Sequence, residues 1–133
     1  MGGGEAVSGR VIAGIGCRAN CPADAILAIV SAAISRTGRS VSVLAVPAFK
    51  AQEPGLLGAA LRLGLPLVAV DADALAAAQR RCATQSERAA QATGFASIAE
   101  GSALAAAGPN GRLILRRISG GAATCALAEA IPP

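Results

Sequence analysis

The sequence predicts an α/β fold, built as a three-layer sandwich around a mostly parallel, five-stranded mixed sheet. Three observations carry that expectation. Short apolar runs rich in Val, Ile and Leu ("VIAGI", "SVLAV", "PLVAV") each end at a turn former. Segments of helical length and periodicity lie between them through the first hundred residues, as a sheet with helical crossovers requires. Finally, "RLILRRI" is joined to "AATCALAEA" through two glycines, which favours a closing antiparallel hairpin over an alanine-rich helix.

The elements follow in order. Residues 10–16 are apolar and β-branched and read as a buried strand. Pro22 suits a helix start, and Asp24 suits the positive end of its dipole. "ADAILAIVSAAISRTG" continues helically, with Ile26, Ile29, Val30, Ala33 and Ile34 on one face and Gly38 as its stop. "SVSVLAV" alternates as a second strand. "PAFKAQEPG" is a break between prolines, "GLLGAALRLG" a short helix, and "PLVAVD" a third strand. Asp71 or Asp73 could cap "ALAAAQRR", and Ser86 a helix ending at Gly94. Ser97 and Glu100 have the spacing of a capping box opening "IAEGSALAAAG". Residues 1–9 read as a flexible tail, leaving one domain over 10–133.

Composition excludes several functions. No apolar run reaches the ~20 residues of a membrane helix. The amino terminus lacks a signal-peptide pattern, and Ala6 stands where a myristoylation site would carry Ser or Thr, so a cytoplasmic location is expected. Twelve basic residues face eight acidic ones, and eleven of the twelve are arginine. That surplus favours an anionic partner. Nucleic acid fits poorly, because Phe49 and Phe95 are the whole aromatic complement and no binding motif is present.

The stretch "GIGCRANCPAD", residues 14–24, carries most of the functional signal. As a phosphate loop it lacks both the third glycine, replaced by Ala19, and a Walker lysine. As a metal site it offers Cys17 and Cys21, but the chain has no histidine to complete a set, so neither metal nor cofactor is expected. As the rim of an anion pocket it has Gly14 and Gly16, which let a ligand approach the backbone, a following helix start, and Arg18. A tight turn with a solvated arginine explains the same residues equally well. In an α/β sheet the loops near Cys17 and Lys50 should share the ligand-binding end.

Other candidates carry competing structural roles. Lys50 could pair with a ligand carboxylate, serve as a base, or pair with Glu53 on the surface. Glu100 is a candidate acid or the partner of Ser97. Cys17, beside a helix start and Arg18, would have a stabilised thiolate and could act as a nucleophile, or it packs tightly in the turn. Thr124 could donate to a ligand or serve the strand. Without histidine no Ser-His triad exists.

Four segments in register resemble the CobE / CbiG C-terminal domain family of cobalamin biosynthesis. "VIAGIGCRANCPADAI" is similar to its strand, G-[IL]-G-C-[RK] and helix. "LAVPAFKAQEPGLLGAALRLGLPL" resembles its lysine, glutamate, G-L and L-G-x-P segment. "SERAAQATGFASIAEGSALAAAG" and "RLILRRISGGAATCALA" resemble its last two conserved-order segments. Arg116-Arg117 stand where the family carries a lysine, which keeps charge but removes a deprotonatable amine. Cys21 lies outside the family pattern.

The resemblance implies a stand-alone member of the aerobic pathway that binds a corrin-ring intermediate as a carrier or accessory factor. The hydrolase domains of the longer members are not expected in 133 residues. Gly14, Gly16, Cys17, Arg18, Lys50, Glu53, Arg116 and Thr124 would bind the ligand, over an apolar floor of Ile15, Leu56 and Leu57. The alternative is a small enzyme acting on a precorrin, a hydrolase or isomerase, with Lys50, Glu100 or Cys17 as its catalytic group. Other enzymes of the pathway are further candidate partners.

Overall fold

A computed structural model describes residues 10–131, apart from the side chains of residues 88, 89 and 92. The tail expected over residues 1–9 lies outside the described residues. The strands are β1 (Arg10–Cys17), β2 (Val43–Pro47), β3 (Leu67–Val70), β4 (Arg112–Gly120) and β5 (Ala123–Ala130). The helices are α1 (Ala23–Thr37), α2 (Pro54–Leu63), α3 (Ala72–Ala78), α4 (Glu87–Thr93) and α5 (Ile98–Ala107), with 3-10 turns at Ala48–Lys50 and Gln79–Arg81.

The five strands form one sheet in the order β3-β2-β1-β5-β4. β1, β2 and β3 pair in parallel, while β5 is antiparallel to both β1 and β4. Four strands therefore run one way and only β5 runs against them. The closing hairpin turns at Gly121-Ala122, one residue beyond the two-glycine expectation, and Gly121 takes the left-handed conformation with φ 61°.

Alternation along the strands separates two cores. Val11, Ala13, Ile15, Leu44 and Val46 pack under Ile26, Ile29 and Val30 of α1 and Leu56 of α2. Ile12, Val43, Ala45 and Val70 pack on the other face, under Leu75 of α3 and Ala103 and Leu104 of α5. This is the three-layer arrangement. Gly14 sits where α5 crosses β1. A Cβ there would collide with the Ala99 carbonyl and lie 2.6 Å from the Ala103 nitrogen, so its role is helix packing rather than ligand approach.

Most helix ends follow the sequence. Gly38 and Gly64 close α1 and α2 in the left-handed conformation, and Asp71 Oδ1 accepts the Ala74 N–H at 2.8 Å. The capping box at α5 does not form. Ser97 makes no side-chain cap bond, and its own N–H goes to Gln79 Oε1 at 2.9 Å. Glu100 turns inward instead and is fully buried. No described helix is long and apolar enough to cross a membrane.

Candidate functional site

The carboxyl ends of β1 and β2, the β4–β5 turn and the first turn of α5 meet around a cavity of about 450 Å³. Its geometry begins with the loop after β1. The Cys21 N–H donates to the Arg18 carbonyl at 3.1 Å, closing a turn in which Asn20 takes φ 64°. Asparagine tolerates that left-handed position better than most residues, which is how the loop reverses without a third glycine. Glu53 Oε1 accepts the Asn20 N–H at 3.0 Å, and Gly55 lies so close to the Cys21 carbonyl that no Cβ would fit. The start of α2 thus buttresses the loop and aims Arg18 outward.

Gly16, Cys17 and Arg18 form one side of the cavity, and Phe49 and Lys50 form the next. Ser86, Thr93, Ile98 and Ala99 come from the helical layer. Arg117, Ser119 and residues 121–124 come from the hairpin. A more open hollow of about 630 Å³ continues over Cys17, Arg18, Ala19, Phe49, Lys50 and Thr93. Arg18, Lys50 and Arg117 reach this space from three separate segments. Among the described residues none of the three is in an ion pair, and no carboxylate lines the cavity. The charge balance of the site is therefore strongly positive.

Several expected site residues fall elsewhere. Gly14 lies under α5, as described above. Glu53 holds the Asn20 backbone and is not in the cavity wall; it does not pair with Lys50. Arg116 is exposed, and its neighbour Arg117 takes the site position. The cause is irregular pairing between β4 and β5, with register shifts between Leu113 and Leu115 and again between Leu115 and Ile118. Such shifts break the strict alternation on which a sequence reading relies. Ile15 and Leu56 belong to the core on the α1 side, and Leu57 lies outside the cavity wall. The apolar floor is instead Phe49, Ile98, Ala99 and Ala122. Thr124 does line the cavity, and its hydroxyl donates to the Gly16 carbonyl at 3.4 Å.

Glu100 lies behind the wall. Its Oε1 accepts the Thr84 N–H at 2.7 Å and the Ser97 hydroxyl at 3.3 Å, and its Oε2 accepts the Thr84 hydroxyl at 2.7 Å and the Arg117 N–H at 2.9 Å. Burial pushes its pKa up, but the donors on Arg117, Thr84 and Ala83 outweigh burial and hold it below the ordinary 4.5. It is an ionised clamp joining the loop before Ser86 to the strand that carries Arg117, and is not positioned as an acid. The Cys17 thiol also departs from expectation. Burial, then the neighbouring Cys21, pushes its pKa up to about 11, against the lowering influence of Lys50. The thiol stays protonated near neutrality, which opposes a nucleophilic role. No cluster of metal-ligating side chains occurs among the described residues.

This arrangement occupies the same span as a known family. Residues 11–128 match the family described as Cobalamin synthesis G C-terminus. The chain belongs to this family. Within it, the chain is similar to Protein CobE of Sinorhizobium sp, at 35% identity over 121 residues covering 89% of this chain and 79% of that one. The crystal structure of CobE, described as a protein from the cobalamin (vitamin B12) biosynthetic pathway, superposes with a TM-score of 0.85 at 34% identity. That match covers 91% of this chain and 90% of the other. Cobalamin biosynthesis protein chiG from Agrobacterium tumefaciens str. C58 gives 0.73 at 39% identity, covering 89% and 96%. A cobalamin biosynthesis protein G homolog from Sulfolobus solfataricus gives 0.71 at 21% identity, covering 92% of this chain and 37% of that one, a likeness of fold alone. The protein described here is thus a CobE-like member of the Cobalamin synthesis G C-terminus family.

Proposed function

We propose that this CobE-like protein binds a corrin-ring intermediate through the ligand's carboxylates, as a carrier or accessory factor of the aerobic pathway. The observation that supports this most is the cavity ringed by Arg18, Lys50 and Arg117, with no opposing carboxylate among the described lining residues. Corrin precursors carry acetate and propionate groups around an apolar ring. Cations with hydroxyls nearby suit the first, and Phe49 and Ile98 suit the second. The proposed site comprises Gly16, Cys17, Arg18, Lys50 and Thr124, with Arg117 rather than Arg116 as its third cation.

The enzymatic alternative, a hydrolase or isomerase acting on a precorrin, has less support. Of its three candidates, Glu100 is buried and fully engaged, and Cys17 holds its proton. Cys17 and Lys50 both line the cavity, which leaves Lys50 as the remaining candidate. A cytoplasmic location and contact with other enzymes of the pathway belong to the same proposal.

The test is a visible-absorbance titration with the metal-free corrin hydrogenobyrinic acid, beside its amidated form. A saturable spectral shift is expected, weaker for the amidated ligand. Arg18→Ala and Lys50→Ala should each weaken binding about tenfold or more, the loss typical of a charge-assisted hydrogen bond. Affinity unchanged in the double variant would refute the site. A spectrum that continues to evolve after mixing would favour the enzymatic alternative.

A further inference from the structure

The chain has two aromatic residues, Phe49 and Phe95, and the fold stacks Phe95 against Phe49, which lines the cavity. Phe49 lies in the 3-10 turn after β2, and Phe95 in the connection between α4 and α5. Their centroids are 6.5 Å apart and the rings are nearly parallel, at 11°. That spacing is within the range of attractive aromatic pairs. Phe95 therefore backs Phe49 and fixes its plane. Phe49 nevertheless remains 54% exposed.

An exposed ring at this place is informative. Leu57, Leu61, Val68 and Ile131 are also exposed apolar side chains, but only Phe49 borders the cavity and its adjoining hollow. It lines both spaces together with the cations Arg18 and Lys50. Cations alone recognise carboxylates on any scaffold, including a flexible chain. A large, flat apolar surface beside them adds a second criterion, the shape of what carries the carboxylates.

We propose that Phe49, backed by Phe95, is the apolar platform for the conjugated inner ring of the corrin ligand. On this assignment the cations read the peripheral carboxylates, and Phe49 selects a macrocycle over an acyclic polycarboxylate. The inference rests on the corrin-binding reading above and names the residue that senses the ring itself.

The test compares Phe49→Ala, Phe49→Trp and Leu61→Ala in the hydrogenobyrinic acid titration, with thermal unfolding measured alongside. Phe49 is exposed, so none of the three should unfold the protein. Phe49→Ala should weaken affinity about tenfold, as loss of a stacked aromatic contact does. Phe49→Trp should bind at least as tightly as the unmodified protein. Leu61→Ala, an exposed apolar truncation on α2 away from the cavity, should bind normally. Equal affinity for Phe49→Ala and the unmodified protein would overturn the platform and leave the cation site standing. A matching loss in Leu61→Ala would overturn it as well, because the effect would not be local. If the unmodified protein gave no spectral shift at all, the corrin-binding reading would fail first, and the platform with it.

Discussion

Glu100 carries a full charge at zero exposure, beside a site lined only by cations among its charged groups. A carboxylate there is tolerable because donors from three segments, at Thr84, Ser97 and Arg117, replace its lost water. Its lowered pKa fixes the sign of a pH effect. A carboxylate with a depressed folded value contributes stability above its unfolded value, near 4.5, and loses it as the pH falls through the folded value. Glu100→Gln keeps the size but turns an amide group toward at least one N–H donor. We expect it to destabilise the protein by roughly 2 kcal/mol at neutral pH, the cost of leaving such groups unpaired. Denaturant unfolding against pH should show the gap to the parent closing in acid, below about 4.5. A gap independent of pH would show that Glu100 is not ionised in the fold.

At the scale of elements, the decisive contact is α5 crossing β1 at Gly14. The helix supplies Ile98 and Ala99 to the cavity and holds Glu100 behind it. Its own surface is unusually poor in large side chains, with Ala99, Gly101, Ser102 and Ala103 all buried. Close approach of helix and strand substitutes for bulky packing, and it requires the absence of a Cβ at residue 14. Gly14→Ala should therefore cost several times the ~1 kcal/mol typical of an average substitution, because the clash is with backbone that cannot move aside. Urea unfolding reads this directly. A loss below 1 kcal/mol would mean that α5 can shift outward freely. The same contact makes the first glycine of the "GIG" sequence structural, whereas Gly16 lies at the cavity wall against Thr124.

For the whole molecule, charge is distributed unequally between the two ends of the sheet. At the end where β1 begins, Glu129 joins Arg39 at 2.8 Å and Arg112 at 3.2 Å. At the cavity end, Arg18, Lys50 and Arg117 have no described carboxylate to pair with. The lining of this end is therefore positive where the ligand is proposed to enter. Affinity for a polycarboxylate should fall as salt rises from about 0.05 to 0.5 M, since the Debye length shrinks from roughly 14 to 4 Å over that range. The Arg18→Ala, Lys50→Ala double variant should lose most of that dependence. An affinity insensitive to salt would place the binding energy in apolar contacts instead.

The sequence by itself determined the alternation of strands and helices, the stops at Gly38 and Gly64 and the closing hairpin, and it narrowed the cap of α3 to Asp71 or Asp73, because each depends on residues near in the chain. It also located the loop holding Cys17 and Arg18 and the turn holding Lys50, since both follow from strand ends. Only the tertiary structure decided which neighbours share a surface. Register shifts in β4 moved the site cation from Arg116 to Arg117, burial reversed the expected acidity of Cys17, and donors distant in sequence turned Glu100 inward from its expected cap. The pairing of Phe49 with Phe95 was beyond local reading for the same reason. Forty-six positions separate them along the chain, and nothing in either segment specifies the other until the sheet and its helices bring the two rings together.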